Sequence, residues 1–140
     1  MTEKQFVDTN ILVYAHDRTT GWKRDRARLL MEQLWSGANG VLSTQVLQEF
    51  CVSFMRKASN PAPMSELRDI MQDYLSWEIV VNDTASIIQA LQIKERYQLS
   101  FWDSLIIHAA EHAGASVIYS EDLSAGQKYA SIEVINPFAA

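Results

Sequence analysis

Four acids in this chain stand where carboxylate chemistry could be done: Asp8, Glu49, Asp103 and Asp122. A cluster of carboxylates raises the pKa of each member and is unstable without counter-charge. Oxygen-only donor sets favour hard cations, so the expected cofactor is Mg²⁺ or Mn²⁺. Such an ion lowers the pKa of a bound water and stabilises charge on a phosphate in transit, and no protein nucleophile is then needed. The sequence agrees, since it holds no GxSxG, P-loop, HExxH or dinucleotide fingerprint.

Each acid has a local context. At about 100° per residue, Asp103 falls within the apolar arc of Ile106, Ile107 and Ala110. A charged carboxylate on that face must be paired, hydrogen-bonded or metal-bound. A capping box with Ser100 is the ordinary alternative. Asp8 ends the first expected strand, where open α/β sheets bind ligands, and it can equally cap the helix that follows. Asp122 follows a late strand. Glu49 lies outside the apolar arc of its helix, beside Gln45 and Ser53, and reads as a surface residue unless that helix crosses the same edge.

The elements that must position these acids follow from periodicity and breakers. Strands are expected over residues 4–7, 41–43, 78–81, 116–119 and 132–135. Helices are expected over 10–15, 22–35, 45–57, 65–76, 85–97 and from 101 onwards. Ala58-Ser59-Asn60-Pro61-Ala62-Pro63 is the clearest break, too short for a domain linker. Residues 123–129 read as a loop. On the helix over 85–97, Ile87, Ile88 and Leu91 form the apolar stripe. His108 and His112 are expected on a helix surface, and Asp83 is expected to cap a helix. The order of elements predicts an α/β protein with a mostly parallel sheet and helices on both faces.

Length and composition bound the possibilities. At 140 residues, 48% hydrophobic and 21% charged, a single soluble domain over 1–140 is expected. One cysteine, Cys51, excludes an internal disulfide and reads as core. The N-terminal residues carry no signal-peptide pattern and no stretch is long enough to span a bilayer, so no membrane association and a cytoplasmic location are expected. The net charge of −5 argues against a broad electrostatic nucleic-acid binder. It leaves room for an enzyme whose acidic pocket is neutralised by divalent cations. The basic run Lys23, Arg24, Arg26 and Arg28 is either a solvated helix face or a phosphate-contacting edge.

Four stretches carry a resemblance: Phe6-Val7-Asp8-Thr9-Asn10-Ile11-Leu12, Ser43-Thr44-Gln45-Val46-Leu47-Gln48-Glu49-Phe50, Phe101-Trp102-Asp103-Ser104-Leu105-Ile106, and Ser120-Glu121-Asp122-Leu123 with Gly126. In this order and spacing the chain resembles a PIN domain, and within that family the VapC-type toxins of toxin–antitoxin pairs. The resemblance implies a three-layer α/β/α sandwich with a mostly parallel sheet of four to five strands. It implies a metal-dependent endoribonuclease whose acidic set is Asp8, Glu49, Asp103 and Asp122, with Asn10 and Ser120 supporting the pocket by hydrogen bonds. It also implies an RNA substrate, a protein antitoxin that plugs the site, and a homodimer. Glu121 adds an acid beside Asp122, and which of the two faces the metal is left open.

The rival reading is an inert or phosphoryl-accepting regulatory domain with an acidic metal pocket. A receiver-like domain needs an acceptor Asp after strand three and a late lysine. Here strand three ends in Val81-Asn82, and the last lysine is Lys128, in an expected loop.

Overall fold

The structure is a computed structural model that describes residues 3–57, 63–124 and 126–139. The break expected over 58–63 lies, apart from Pro63, outside the described residues. Element order is β1 (Gln5–Val7), α1 (Thr9–His16), α2 (Trp22–Gly37), β2 (Gly40–Ser43), α3 (Thr44–Lys57), α4 (Met64–Tyr74), β3 (Glu78–Val80), α5 (Thr84–Tyr97), α6 (Phe101–Ala113), β4 (Val117–Tyr119), β5 (Lys128–Tyr129) and β6 (Ile132–Ile135).

The strands form one sheet in the order β3-β2-β1-β4-β6-β5. All neighbours pair parallel except β5 and β6. β5 is a strand beyond the four to five expected. It lies inside the segment read as a loop, because two residues are too few to show alternation. Its antiparallel pairing with β6, Lys128 opposite Glu133, makes a short edge.

The parallel strands are buried on both faces, which is why they read as apolar runs. β2 is buried at every position, and Phe6, Val7 and Ile118 are fully enclosed. Ile11 and Leu12 of α1, Ala27, Leu30, Met31 and Leu34 of α2, and Val46 and Phe50 of α3 close over the sheet. Gly40 permits the tightest approach in this core, since a Cβ there would collide with the Trp77 ring.

α6 is enclosed nearly all round, with Leu105 to Ala110 continuously buried. It ends at Gly114, whose φ of 76° suits a residue without a Cβ. This enclosure corrects the expectation for His108, which is 5% exposed, whereas His112 is on the surface as expected. Burial pushes the His108 imidazole pKa down, and the neighbouring His112 adds to the effect.

The apolar stripe of α5 is a second correction. Ile87, Ile88 and Leu91 face solvent, while Ser86 and Ala90 are buried and Ile93 and Tyr97 pack against the core. Small residues let α5 lie close to α6, so the close-packed face is the one with the smaller side chains. Asp83 caps α5 as expected, accepting from Ser86 N at 3.0 Å in a reciprocal capping box. Cys51 is half-buried, and burial raises its thiol pKa. Among the described residues no helix is long and apolar enough to cross a membrane.

Candidate active site

The register of β1 against β4 sets Val7 opposite Tyr119. The next residues of the two strands, Asp8 and Ser120, therefore emerge side by side at the carboxyl edge, where ligands of open α/β sheets bind. Asp8 is 6% exposed. Its Oδ2 accepts from Ser120 Oγ at 2.8 Å and its Oδ1 from Thr9 N at 2.7 Å. Asp8 is thus the N-cap of α1, as one of its two local readings had it, and it also forms the buried floor of a hollow.

That hollow has a volume of about 400 Å³. Asp8, Glu49, Asp103 and Asp122 all line it, as does Glu121, and among the described residues no lysine, arginine or histidine does. The sequence-predicted acids, far apart along the chain, therefore face one space. Burial pushes the Asp8 carboxyl up to about 6. Its bonds from Ser120 and Thr9 pull the other way, and the charges of Glu49 and Asp122 add to the rise.

Glu49 is exposed on the second turn of α3, and Thr9 Oγ1 donates to its Oε1 at 2.8 Å. Asp103 sits in the first turn of α6, where Ser100 caps the helix by accepting from Asp103 N at 3.1 Å. The reciprocal half of the capping box is absent: the Asp103 carboxylate accepts no hydrogen bond from a described residue. Its side chain is left facing the hollow, half-buried.

Asn10 and Ser120 hold the loop after β4. Asn10 Nδ2 donates to Asp122 Oδ2 at 2.9 Å, and Asn10 Oδ1 accepts from Glu121 N at 3.2 Å. Ser120 Oγ accepts from the amides of Asp122 and Leu123, both at 3.2 Å. The two adjacent acids have different partners. Glu121 accepts from Tyr14 Oη at 2.7 Å and forms an ion pair with Lys23. Burial raises its pKa, but the bonds from Lys23 and Tyr14 outweigh that and hold it below the usual range. Asp122 has the neutral Asn10 amide.

The basic run of α2 does not border the hollow. Lys23 is engaged by Glu121 and lies over the Tyr14 and Phe138 rings, and Arg26 Nε donates to the Pro137 carbonyl at 3.0 Å. Arg24 Nε is buried without a partner among the described residues, and Arg28 is exposed.

Sequence reasoning passed over Thr9, Tyr14, Gln45 and Trp102, which line the hollow. Thr9 could have been suspected from its place between Asp8 and Asn10. Tyr14, Gln45 and Trp102 could not, because each sits in an apolar or amphipathic helix pattern that explains it without a site.

The donor types fit a hard divalent cation: oxygen ligands, a deficit of positive charge and a buried carboxyl whose ionisation is opposed. The spacing is that of a hollow rather than a finished coordination shell. Among the described residues no three His, Cys, Asp or Glu side chains stand close enough together to hold an ion.

Comparison with known proteins places this arrangement. The PIN domain family model matches residues 6–129. No curated protein sequence matches the chain. Several solved structures share its fold. A toxin–antitoxin complex from Klebsiella pneumoniae has a TM-score of 0.69 at 17% identity, covering 98% of this chain and 100% of that one. DNA-bound VapBC from Salmonella typhimurium has a TM-score of 0.65 at 19% identity, covering 95% and 97%. VapC20 of Mycobacterium tuberculosis, a Sarcin-Ricin loop cleaving toxin, has a TM-score of 0.67 at 17% identity, covering 85% and 90%. With the family match over nearly its whole length and the acids of its four motifs gathered at one sheet edge, the chain belongs to the PIN domain family.

Proposed function

We propose that this protein is a metal-dependent endoribonuclease that hydrolyses RNA phosphodiester bonds, and that it is the toxin of a toxin–antitoxin pair. The observation that carries the reading is the set of carboxylates around one hollow, with Asp8 at its buried floor and no basic side chain among the described residues that line it. The RNA substrate and the toxin role draw on the family and on the similar structures, one a Sarcin-Ricin loop cleaving toxin and others toxins with their antitoxins.

Asp8, Asp103 and Asp122 would hold Mg²⁺ or Mn²⁺, and Glu49 would hold a second ion or position the attacking water. A bound divalent ion supplies a water of lowered pKa and offsets charge on the phosphate. Ser120 and Thr9 N keep both oxygens of Asp8 oriented, and Asn10 fixes Asp122. Glu121 is assigned outside the ligand set, because Lys23 and Tyr14 already occupy both its oxygens. Closing a shell asks most of Asp103, whose carboxylate no described residue restrains, and of Glu49, which is exposed on α3.

The antitoxin would neutralise the same carboxylates with an inserted arginine or lysine. A homodimer is part of the proposal.

The test is RNA cleavage by purified protein with Mg²⁺ or Mn²⁺, and again with EDTA. Cleavage that stops with chelator and is lost in Asp103→Asn is expected. Cleavage indifferent to both would overturn the assignment.

A further inference from the structure

Trp102 is 61% exposed on the first turn of α6, directly before Asp103. Its ring offers an unburied, flat apolar face beside the acidic hollow. Trp102 borders three hollows at once. One holds the carboxylates. A second, of about 600 Å³, runs along α3 past Val52 and Ser53 to Arg56. A third, of about 450 Å³, opens towards Ile87 on α5.

The charges along this path change sign. Arg56 is the one Lys or Arg among the described residues lining the three hollows, and it forms no ion pair with a described acid. The backbone at Trp102 is anchored across elements. Gln45, 5% exposed, donates from Nε2 to the Trp102 carbonyl at 3.2 Å, tying α3 to α6. Phe101 packs edge-on against the indole with centroids 5.4 Å apart.

We propose that Trp102 is the stacking platform for the base beside the scissile phosphate of a single-stranded RNA, with Arg56 taking the neighbouring phosphate. The proposal rests on the nuclease reading and adds the residues that would grip the base and the next phosphate. An indole stacks on any unpaired base, so the platform selects strandedness rather than sequence. A base inside a duplex cannot reach it, so loops and single strands are cut in preference to helices. Carboxylates, an indole and a guanidinium around adjoining hollows offer partners for a metal-bound phosphate, a base and a second phosphate.

The experiment pairs a protein change with a substrate change. A single-stranded oligoribonucleotide is cut with Mn²⁺ present and its cleavage position is mapped. The same strand is then made with an abasic nucleotide on either side of that position. kcat/KM is measured for wild type, Trp102→Ala and Trp102→Phe on each strand. Trp102→Ala is expected to lose about tenfold or more on the intact strand, chiefly in KM. It loses little more when the base is removed, and Trp102→Phe restores most of the activity.

If the losses from Trp102→Ala and the missing base multiply, the ring does not touch the base and the platform is overturned. If Trp102→Ala leaves cleavage unchanged and instead shifts the oligomeric mass in light scattering, the ring belongs to a protein interface, and the platform is again overturned. If wild type cuts no RNA with Mg²⁺ or Mn²⁺, the nuclease reading falls and takes this one with it. Cleavage with multiplying losses sinks the platform alone.

Discussion

Ser120 Oγ donates to Asp8 Oδ2 at 2.8 Å while accepting from two amides of its own loop, those of Asp122 and Leu123. One hydroxyl thus joins the end of β1 to the loop that carries Asp122. Its geometry follows from the β1–β4 register, which brings the two residues out of neighbouring strands together.

Removing that hydroxyl should affect both stability and chemistry. Ser120→Ala leaves the buried Asp8 carboxylate one donor short, which is expected to cost about 1–3 kcal/mol of stability. RNA cleavage should fall about 10–100-fold, the range for a group that orients a metal ligand. Thermal melts and kcat/KM on one oligoribonucleotide check both. Full activity in a destabilised variant would make Ser120 purely structural.

Asp8 gives the ion-free protein a pH signature. Its carboxyl ionises near 3.8 when unfolded and at about 6 when folded. Between those values the folded state binds the extra proton. Stability from Asp8 is therefore complete below the lower value and is lost as pH rises through the upper one, by about 3 kcal/mol in all. Melts of wild type and Asp8→Asn in EDTA should cross: the variant gains on wild type from about pH 4 to about pH 6 and stays ahead above. Mn²⁺ favours the ionised carboxylate and should reverse this for wild type, by about 2.7 kcal/mol at a hundred times Kd.

Asp103 offers the cleanest separation of activity from folding. Its carboxylate is half-buried and accepts no hydrogen bond from a described residue, so Asp103→Asn should alter stability by less than about 0.5 kcal/mol. As a proposed direct ligand, its loss should lower cleavage by more than about 100-fold. A variant that unfolds, or that cuts normally, would contradict this.

The neighbours Glu121 and Asp122 should behave differently. Glu121→Gln weakens the link to Lys23 and Tyr14 and should leave cleavage within about tenfold, below the loss expected of an orienting group. Asp122→Asn should reduce it by more than about 100-fold, as for Asp103. Isothermal titration with Mn²⁺ should show the same ranking, with binding kept in Glu121→Gln and weakened in Asp122→Asn. The opposite ranking would exchange their roles.

Gly40 tests the core apart from the site. A methyl group there meets the Trp77 ring, which is itself packed against Trp35 and Tyr74. Gly40→Ala should cost about 1–3 kcal/mol from overpacking. Activity per folded molecule should not change, as measured by cleavage well below the melting transition.

How legible all this was in the sequence depends on which interaction sets each feature. The α/β order and the caps Ser100 and Asp83 are local or periodic, so spacing alone exposes them. The outward Ile87–Leu91 stripe and the buried His108 were misread because periodicity identifies an apolar face without saying what covers it. The strand β5 escaped because its two residues gain their conformation from pairing with β6.

The acids themselves were visible as residue types in family-like contexts, and Asn10 and Ser120 with them. That they face one hollow was decided by long-range strand register and by where α3 and α6 start, quantities that no local pattern encodes. So was the division between Glu121, turned to Lys23, and Asp122, turned to Asn10, since both partners lie far away along the chain. The sequence by itself determined the chemistry available, carboxylates without a nucleophile motif such as GxSxG. The tertiary structure alone decided which of them meet, because only the paired strands and the helices packed on them bring distant side chains within electrostatic reach of one another.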